Sequence, residues 1–328
     1  MRITARAPGK LVVLGEYAVL YGAPALVLAV DRRCRASVAA RPGRVGRLET
    51  RSPKPHRSEA ALGAATGVAL VDLVRGAIGF ETQGWDAVVD SSPFFVGGRK
   101  LGLGSSAAAL CAFAGAWAAW SAAPRPELEV LIDLHRRFQG GAGSGLDIAA
   151  SLRGGAIEFR VGPHNSNPVS SVQLPNSVGF AGIFAGRSAS TPDLLARYHT
   201  WRAERPTQAA EQQRVMEGIA EAGSAAVRRG ESEELLRAVD LYGRELDALG
   251  RAIGADIVTA EHRALGATAA RFGVTYKVSG AGGGDLGVAL SADADALDAF
   301  RHAAAEQGYA VVDLGLDRQG LVVEEQTE

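Results

Sequence analysis

The stretch Arg99–Leu110, RKLGLGSSAAAL, decides how the chain is read. Two glycines and two serines stand between a lysine and an alanine-rich run. Glycine lets a backbone approach a ligand closely, and the first N–H groups of a helix have no partner inside it. A helix beginning at Ser105 would aim those groups at a bound anion. The serine hydroxyls could cap the helix or coordinate a metal riding on phosphates. The same letters suit the capped start of a buried helix, and alone they leave both readings open. GxxxxGK[ST] is absent, so this is not a Walker-type phosphate loop.

The rest of the chain sets bounds. Its 328 residues suffice for two ordinary domains. With 47% apolar and 22% charged residues the composition is that of a globular protein. A net charge of −1 gives no reason to expect nucleic acid or an anionic membrane as partner. The uncharged segment Leu101–Ala123 is dominated by Gly, Ser and Ala, which reads as a buried helix and not a membrane span. The first ten residues hold no apolar signal core. Cys34 and Cys111 lie far apart among apolar or small neighbours, as buried thiols in a reducing, cytoplasmic setting would. Of the 35 basic residues only Lys10, Lys54, Lys100 and Lys277 are lysines, and three of them adjoin glycine-rich stretches. An ammonium is a compact point charge that reaches between phosphate oxygens, so the pattern favours phosphate chemistry.

Residues 10–40 alternate or run apolar and predict strands joined by glycine turns. Residues 41–60, rich in Arg, Pro and Ser, predict a surface loop; a helix is expected over roughly 59–77 and a strand over 85–91. The alanine-rich helix should end near Pro124. PELEVLIDLHRRFQ predicts another helix, and GGAGSGLDIAASLRGG a second glycine loop running into a short helix. The polar stretch GPHNSNPVSS suggests a domain boundary, giving segments 1–165 and 166–328. Beyond it come a strand in VGFAGIFAG, amphipathic helices to about residue 270, strands VTYKVSG and LGVAL flanking AGGGD, a helix Ala294–Gln307 and a strand AVVDLGL.

APGKLVVLGEYAVLYG, KLGLGSSAAAL and KVSGAGGGDLGVAL occur in that order, and together they resemble the three signature motifs of the GHMP kinases across nearly the whole chain. The resemblance implies an α+β fold of two domains, an N-terminal ribosomal-protein-S5-like one and a C-terminal ferredoxin-like one, with ATP in the cleft between them. It implies that Lys100, Gly102, Leu103, Gly104, Ser105, Ser106 and Ala107 wrap the nucleotide phosphates and that Ser106 holds Mg²⁺. Asp147 in GAGSGLDIAAS matches the catalytic aspartate, and Lys10 the lysine that pairs with it; read alone, that aspartate would be a helix cap. Substrate contacts are implied for Lys10, Glu16 and Tyr17 in the first motif and for Ser144 and Asp147 in the second glycine loop. The third motif is implied to add Lys277, Ser279, Gly280, Ala281 and Gly282.

Within the family, GSGLDIAAS, HRRFQGGAGSG and GAGGGDLGVAL with Asp285 look most like bacterial phosphomevalonate kinases. Mevalonate kinases usually carry a metal-binding glutamate shortly before the catalytic aspartate; here that region reads LHRRFQ, without an acid. GRSASTPDLL adds Arg187, Ser190 and Thr191 ahead of Pro192, an arginine beside a helix start with Thr191 as N-cap, which suits a second phosphate. The expectation is an ATP- and Mg²⁺-dependent kinase acting on 5-phosphomevalonate. Alternatives are a kinase for an unphosphorylated alcohol such as mevalonate, or a non-catalytic binding protein of the same fold. The roles of His135, Arg136 and Gln139 stay open.

Overall fold

Leu11–Leu14 are all buried, because helices close over this end of the first strand and leave no solvent face that would impose alternation. The computed structural model describes residues 1–79, 81–141, 143–163, 166–186 and 191–326. In chain order the strands begin with β1 (Arg2–Leu14), β2 (Ala25–Ala40), β3 (Val45–Arg51) and β4 (His56–Ala61). Helix α1 (Ala69–Ile78), β5 (Trp85–Asp90) and the short hairpin β6 (Phe95–Val96) and β7 (Arg99–Lys100) lead to α2 (Ser105–Trp120). Next are α3 (Leu128–Phe138), α4 (Leu146–Arg153), β8 (Ala156–Phe159) and β9 (Val169–Val172). The remainder runs β10 (Gly179–Phe184), α5 (Thr191–Glu204), α6 (Pro206–Arg229), α7 (Ser232–Ala252), α8 (Ala260–Arg271), β11 (Thr275–Val278), β12 (Leu286–Ser291), α9 (Ala294–Glu306), β13 (Ala310–Val312) and β14 (Val322–Gln326).

The fold is α+β. One sheet runs β14-β1-β2-β5-β3-β4, with β8 paired to β2 and β9 to β8; the other runs β11-β12-β10-β13. Only β3 and β5 pair in parallel among the described strands. The alanine-rich α2 is buried almost all round and packs on β1 and β2. Gly115 lets β14 come close, since a Cβ there would sit 3.2 Å from Val323. Beside it Trp85 and Trp117 meet edge to face at 5.3 Å, and the buried Arg75 pairs with Glu81 at 2.6 Å.

Two expectations change. The predicted loop over 41–60 is mostly the β3–β4 hairpin at the sheet edge, where Arg47 pairs with Glu59 and Glu49 with Arg51 and Arg57. Charge on an exposed edge strand reads like loop composition, yet it is what keeps such an edge from pairing with other chains. The helix expected from about 59 begins only at Ala69, after β4 and the left-handed Gly63 and Gly67. The polar stretch 162–171 runs into β9, which joins the first sheet as β14 does, so strands from beyond residue 165 complete that sheet. We keep the division at 165/166 as a proposal. No described helix is long and apolar enough to cross a membrane.

Candidate active site

The three glycine segments meet at one cleft. Gly9 presses β1 onto the loop before α2: a Cβ there would lie 2.7 Å from the Leu103 carbonyl oxygen, which accepts the Lys10 N–H at 2.9 Å. Next in the chain, the Lys10 ammonium donates to the Gly102 carbonyl at 3.2 Å. Burial holds the Lys10 pKa below the usual lysine value, while Asp147, Asp285 and Glu16 pull it back up. Gly104, in the left-handed region at φ 77°, precedes α2, and no side chain caps that helix. A Cβ at Gly104 would come 3.3 Å from the Lys10 side chain, so the position suits glycine alone. The helix start therefore faces the cleft with its donors unanswered by any capping side chain.

Asp147 sits in the first turn of α4 behind the left-handed Gly145. Its Oδ1 accepts the Ile148 N–H at 3.0 Å, and its Oδ2 lies 3.6 Å from Nδ1 of His135. Nε2 of the same buried imidazole is 3.0 Å from the Ser106 hydroxyl. Arg136 grips the turn before Asp147, donating to the Gly143 and Ser144 carbonyls at 3.0 and 3.1 Å. Beyond that turn, Thr191 and Leu195 of α5 reach the cleft, and Tyr198 of α5 packs on Tyr17 at 5.0 Å.

The site is thus a pair of lysines, an uncapped 16-residue helix, a serine hydroxyl and three carboxylates, Glu16, Asp147 and Asp285. Such a set can hold a polyphosphate and orient an oxygen nucleophile. The residues fit Mg²⁺ as well, because the Ser106 hydroxyl is a hard oxygen donor on the cleft wall. Among the described residues no three His, Cys, Asp or Glu side chains gather into a metal cage, so most ligands to a metal here would be phosphate and water.

Comparison with known proteins agrees with this chemistry. The model of the GHMP kinases N terminal domain matches residues 72–155, from α1 through α4. A phosphomevalonate kinase from Streptomyces sp. (strain CL190) is 32% identical across 92% of both chains. The chain belongs to the GHMP kinase family. A mevalonate kinase from Thermococcus sibiricus is 34% identical over 60% of this GHMP kinase and 61% of its own length. The structure of Streptococcus pneumoniae phosphomevalonate kinase in complex with phosphomevalonate and AMPPNP superposes with a TM-score of 0.80 at 20% identity, covering 95% of this chain and 99% of that one.

The residues expected to form this kinase's site divide. Lys10, Glu16, Tyr17, Lys100, Gly102, Gly104, Ser106, Ser144, Asp147, Thr191, Gly280 and Ala281 line the cleft. Leu103, Ser105 and Ala107 are buried behind it and shape the loop. Lys277, Ser279 and Gly282 do not reach the wall. The Lys277 ammonium is buried against Glu16 Oε1 at 2.5 Å, the Ser279 hydroxyl accepts the Val12 N–H at 2.8 Å, and Gly282 packs on Ile257. Asp147 is near enough to pull the Lys10 pKa up, but the two form no ion pair; Lys10 bonds Gly102 and the carboxylate faces His135 instead. Thr191 is the first residue of α5 and not its cap. Arg187 and Ser190 lie outside the described residues.

The sequence left the roles of His135 and Gln139 open and gave Asp285 no role in the site. Gln139 and Asp285 line the cleft, and Asp285 packs so closely on Gly102 that a Cβ there would lie 2.6 Å away. A polar residue on the α3 face toward a glycine turn was visible in the sequence, but the partner it would meet was not. The aliphatic wall of Val12, Val19, Leu20, Leu146 and Leu195 left no chemical signal to read.

Proposed function

We propose that this GHMP kinase transfers the γ-phosphoryl group of ATP to 5-phosphomevalonate, giving 5-diphosphomevalonate, in the cytoplasmic mevalonate pathway of isoprenoid synthesis. The observation that carries the reading is the extent of the likeness to the Streptomyces phosphomevalonate kinase, 92% of both chains, where the Thermococcus mevalonate kinase matches 60% of this one.

The acceptor oxygen would belong to a phosphate monoester, whose second pKa of about 6 leaves it largely ionised at neutral pH. Proton removal is then a small part of the task, and holding two anions in line is the larger part. The α2 amides and Lys100 hold the nucleotide phosphates, and Lys10 stands between them and the acceptor. Asp147 orients the attacking oxygen. Ser106 would hold Mg²⁺ on the protein side, and the ion would supply charge neutralisation at the phosphates. Glu16 Oε2 is buried on the cleft wall without a hydrogen bond among the described residues, so it suits a hydroxyl of the acceptor. On the sequence reading, Arg187, Ser190 and Thr191 would hold the acceptor's own phosphate.

ADP release measured with 5-phosphomevalonate and with mevalonate tests the proposal. Turnover of the phosphorylated acceptor should dominate. Removing one charge-assisted bond by Arg187→Met should raise its KM roughly tenfold to a hundredfold with little change in KM for ATP. Equal or better turnover of mevalonate would favour the second reading, a mevalonate kinase, which the 34% identity to the Thermococcus enzyme supports.

A further inference from the structure

His135 joins two groups that the proposed mechanism uses separately. Ser106 comes from α2, Asp147 from α4 and His135 from α3, so one imidazole spans the junction of three helices. It is 2% exposed, stacks on Phe138 with ring centroids 6.3 Å apart, and has a polar partner at each nitrogen. A neutral imidazole carries one proton, and the two partners decide where it sits. Asp147 Oδ2 can only accept, whereas a serine hydroxyl can donate or accept. A proton on Nε2 would leave the bare Nδ1 lone pair facing a carboxylate; a proton on Nδ1 satisfies both contacts.

We propose that His135 is a positioning residue, with Nδ1–H directed at Asp147 and Nε2 accepting from the Ser106 hydroxyl. This rests on the kinase reading of the site, not on which acceptor is used. With its hydrogen committed to His135, the Ser106 oxygen presents lone pairs to the cleft, the form a cation needs. Asp147 is approached from two directions, by the Ile148 N–H bonded to Oδ1 and by His135 Nδ1 at 3.6 Å from Oδ2. The metal-side oxygen and the acceptor-side carboxylate then share one register, and motion of either is transmitted through a rigid ring.

Two substitutions separate this role from simple packing. His135→Leu fills the space but bonds to neither partner. His135→Gln offers an amide oxygen and an N–H in one plane, able to serve both. The Leu variant should lose kcat roughly tenfold or more and need more Mg²⁺ for half-maximal rate, with a smaller change in KM for ATP. The Gln variant should recover most of both losses. Calorimetric titration of each variant with a non-hydrolysable ATP analogue, with and without Mg²⁺, should show the same order in the gain that Mg²⁺ brings. Nitrogen shifts of His135 in the metal-free, nucleotide-free wild-type protein should show the proton on Nδ1, a readout that needs neither turnover nor a stable variant. A proton on Nε2, wild-type kcat and Mg²⁺ dependence in His135→Leu, or a Gln variant no better than Leu would overturn the proposal. Failure of the wild-type protein to phosphorylate any acceptor would instead count against the function, and the nitrogen shifts would still decide the tautomer.

Discussion

The loop that leads into α2 and the loop between β11 and β12 are built from the same residue types, lysine, glycine and serine, but they differ in what answers their polar groups. Around the first, the Lys10 ammonium and the uncapped start of α2 face the cleft. In the second, Lys277 is paired with Glu16, Ser279 accepts from Val12, the Ala281 carbonyl accepts from Tyr17 at 2.6 Å, and the Gly283 N–H donates to Ile257 at 2.9 Å. Burial raises the Tyr17 pKa, which keeps that phenol protonated and donating. One loop is open to a ligand; the other mainly bolts the second sheet to the end of β1 and adds Gly280 and Ala281 to the wall. A lysine beside glycine and serine marks a close approach of backbone, and the tertiary partner decides whether the approaching group is a phosphate or the protein itself.

The widest effect should come from the open side. Asp147→Asn should lower kcat by about 10²–10⁴, the range for a positioned general acid or base, while nucleotide affinity stays near wild type. Steady-state rates with a nucleotide titration measure both; near-native turnover would reduce Asp147 to a first-turn charge that stabilises α4.

A stability effect should mark the bolted side. Lys277→Met leaves the Glu16 carboxylate buried without its counter-charge, which costs about 3–5 kcal/mol. Lys10→Arg should do the reverse, keeping the denaturation midpoint but losing turnover, because a planar fork does not replace a point charge seated beside Gly104. Denaturation midpoints and rates of the two variants sharpen the comparison. A stable but inactive Lys277→Met protein would break it and put that ammonium in the cleft.

Beneath the bolted loop, His262 bonds the Tyr276 hydroxyl of β11 at 2.8 Å, and burial lowers its pKa from 6.5 to about 4. Between those values the unfolded chain binds a proton that the folded protein refuses. The contribution is therefore complete above pH 6.5 and is lost as pH falls toward 4, on the order of 3 kcal/mol at most. Denaturant midpoints between pH 7 and 5 should fall more steeply in wild type than in His262→Gln; equal slopes would remove His262 as the cause.

The smallest effect distinguishes the serines. Ser106→Ala should raise the Mg²⁺ needed for half-maximal rate by roughly severalfold, since one hard ligand is lost, and Ser279→Ala should leave that titration unchanged. A shift in Ser279→Ala alone would exchange the roles of the two loops.

The sequence made much of this legible. The starts of α2 and α4 follow from glycine breaks before apolar runs, and the three motifs named the residues that converge. What it concealed was pairwise. Lys277 resembled Lys10 because both stand beside glycine, and only the fold shows that Glu16 reaches one of them and the cleft the other. His135 resembled a helix-terminal polar residue until α2 and α4 came within reach of its two nitrogens. The β3–β4 hairpin read as a loop because its charged residues belong to an exposed sheet edge. The first two misses concern partners distant in the chain, and the third an edge exposure, neither of which local pattern encodes.

Amide exchange tests the division between the loops most directly. The backbone N–H groups of residues 105–107 should exchange quickly in the free protein and slow markedly when a non-hydrolysable ATP analogue and Mg²⁺ saturate the cleft, while that of Gly283, already bonded to Ile257, should not change. Unchanged exchange at residues 105–107 with nucleotide bound would contradict the assignment of the α2 start as the phosphate cradle.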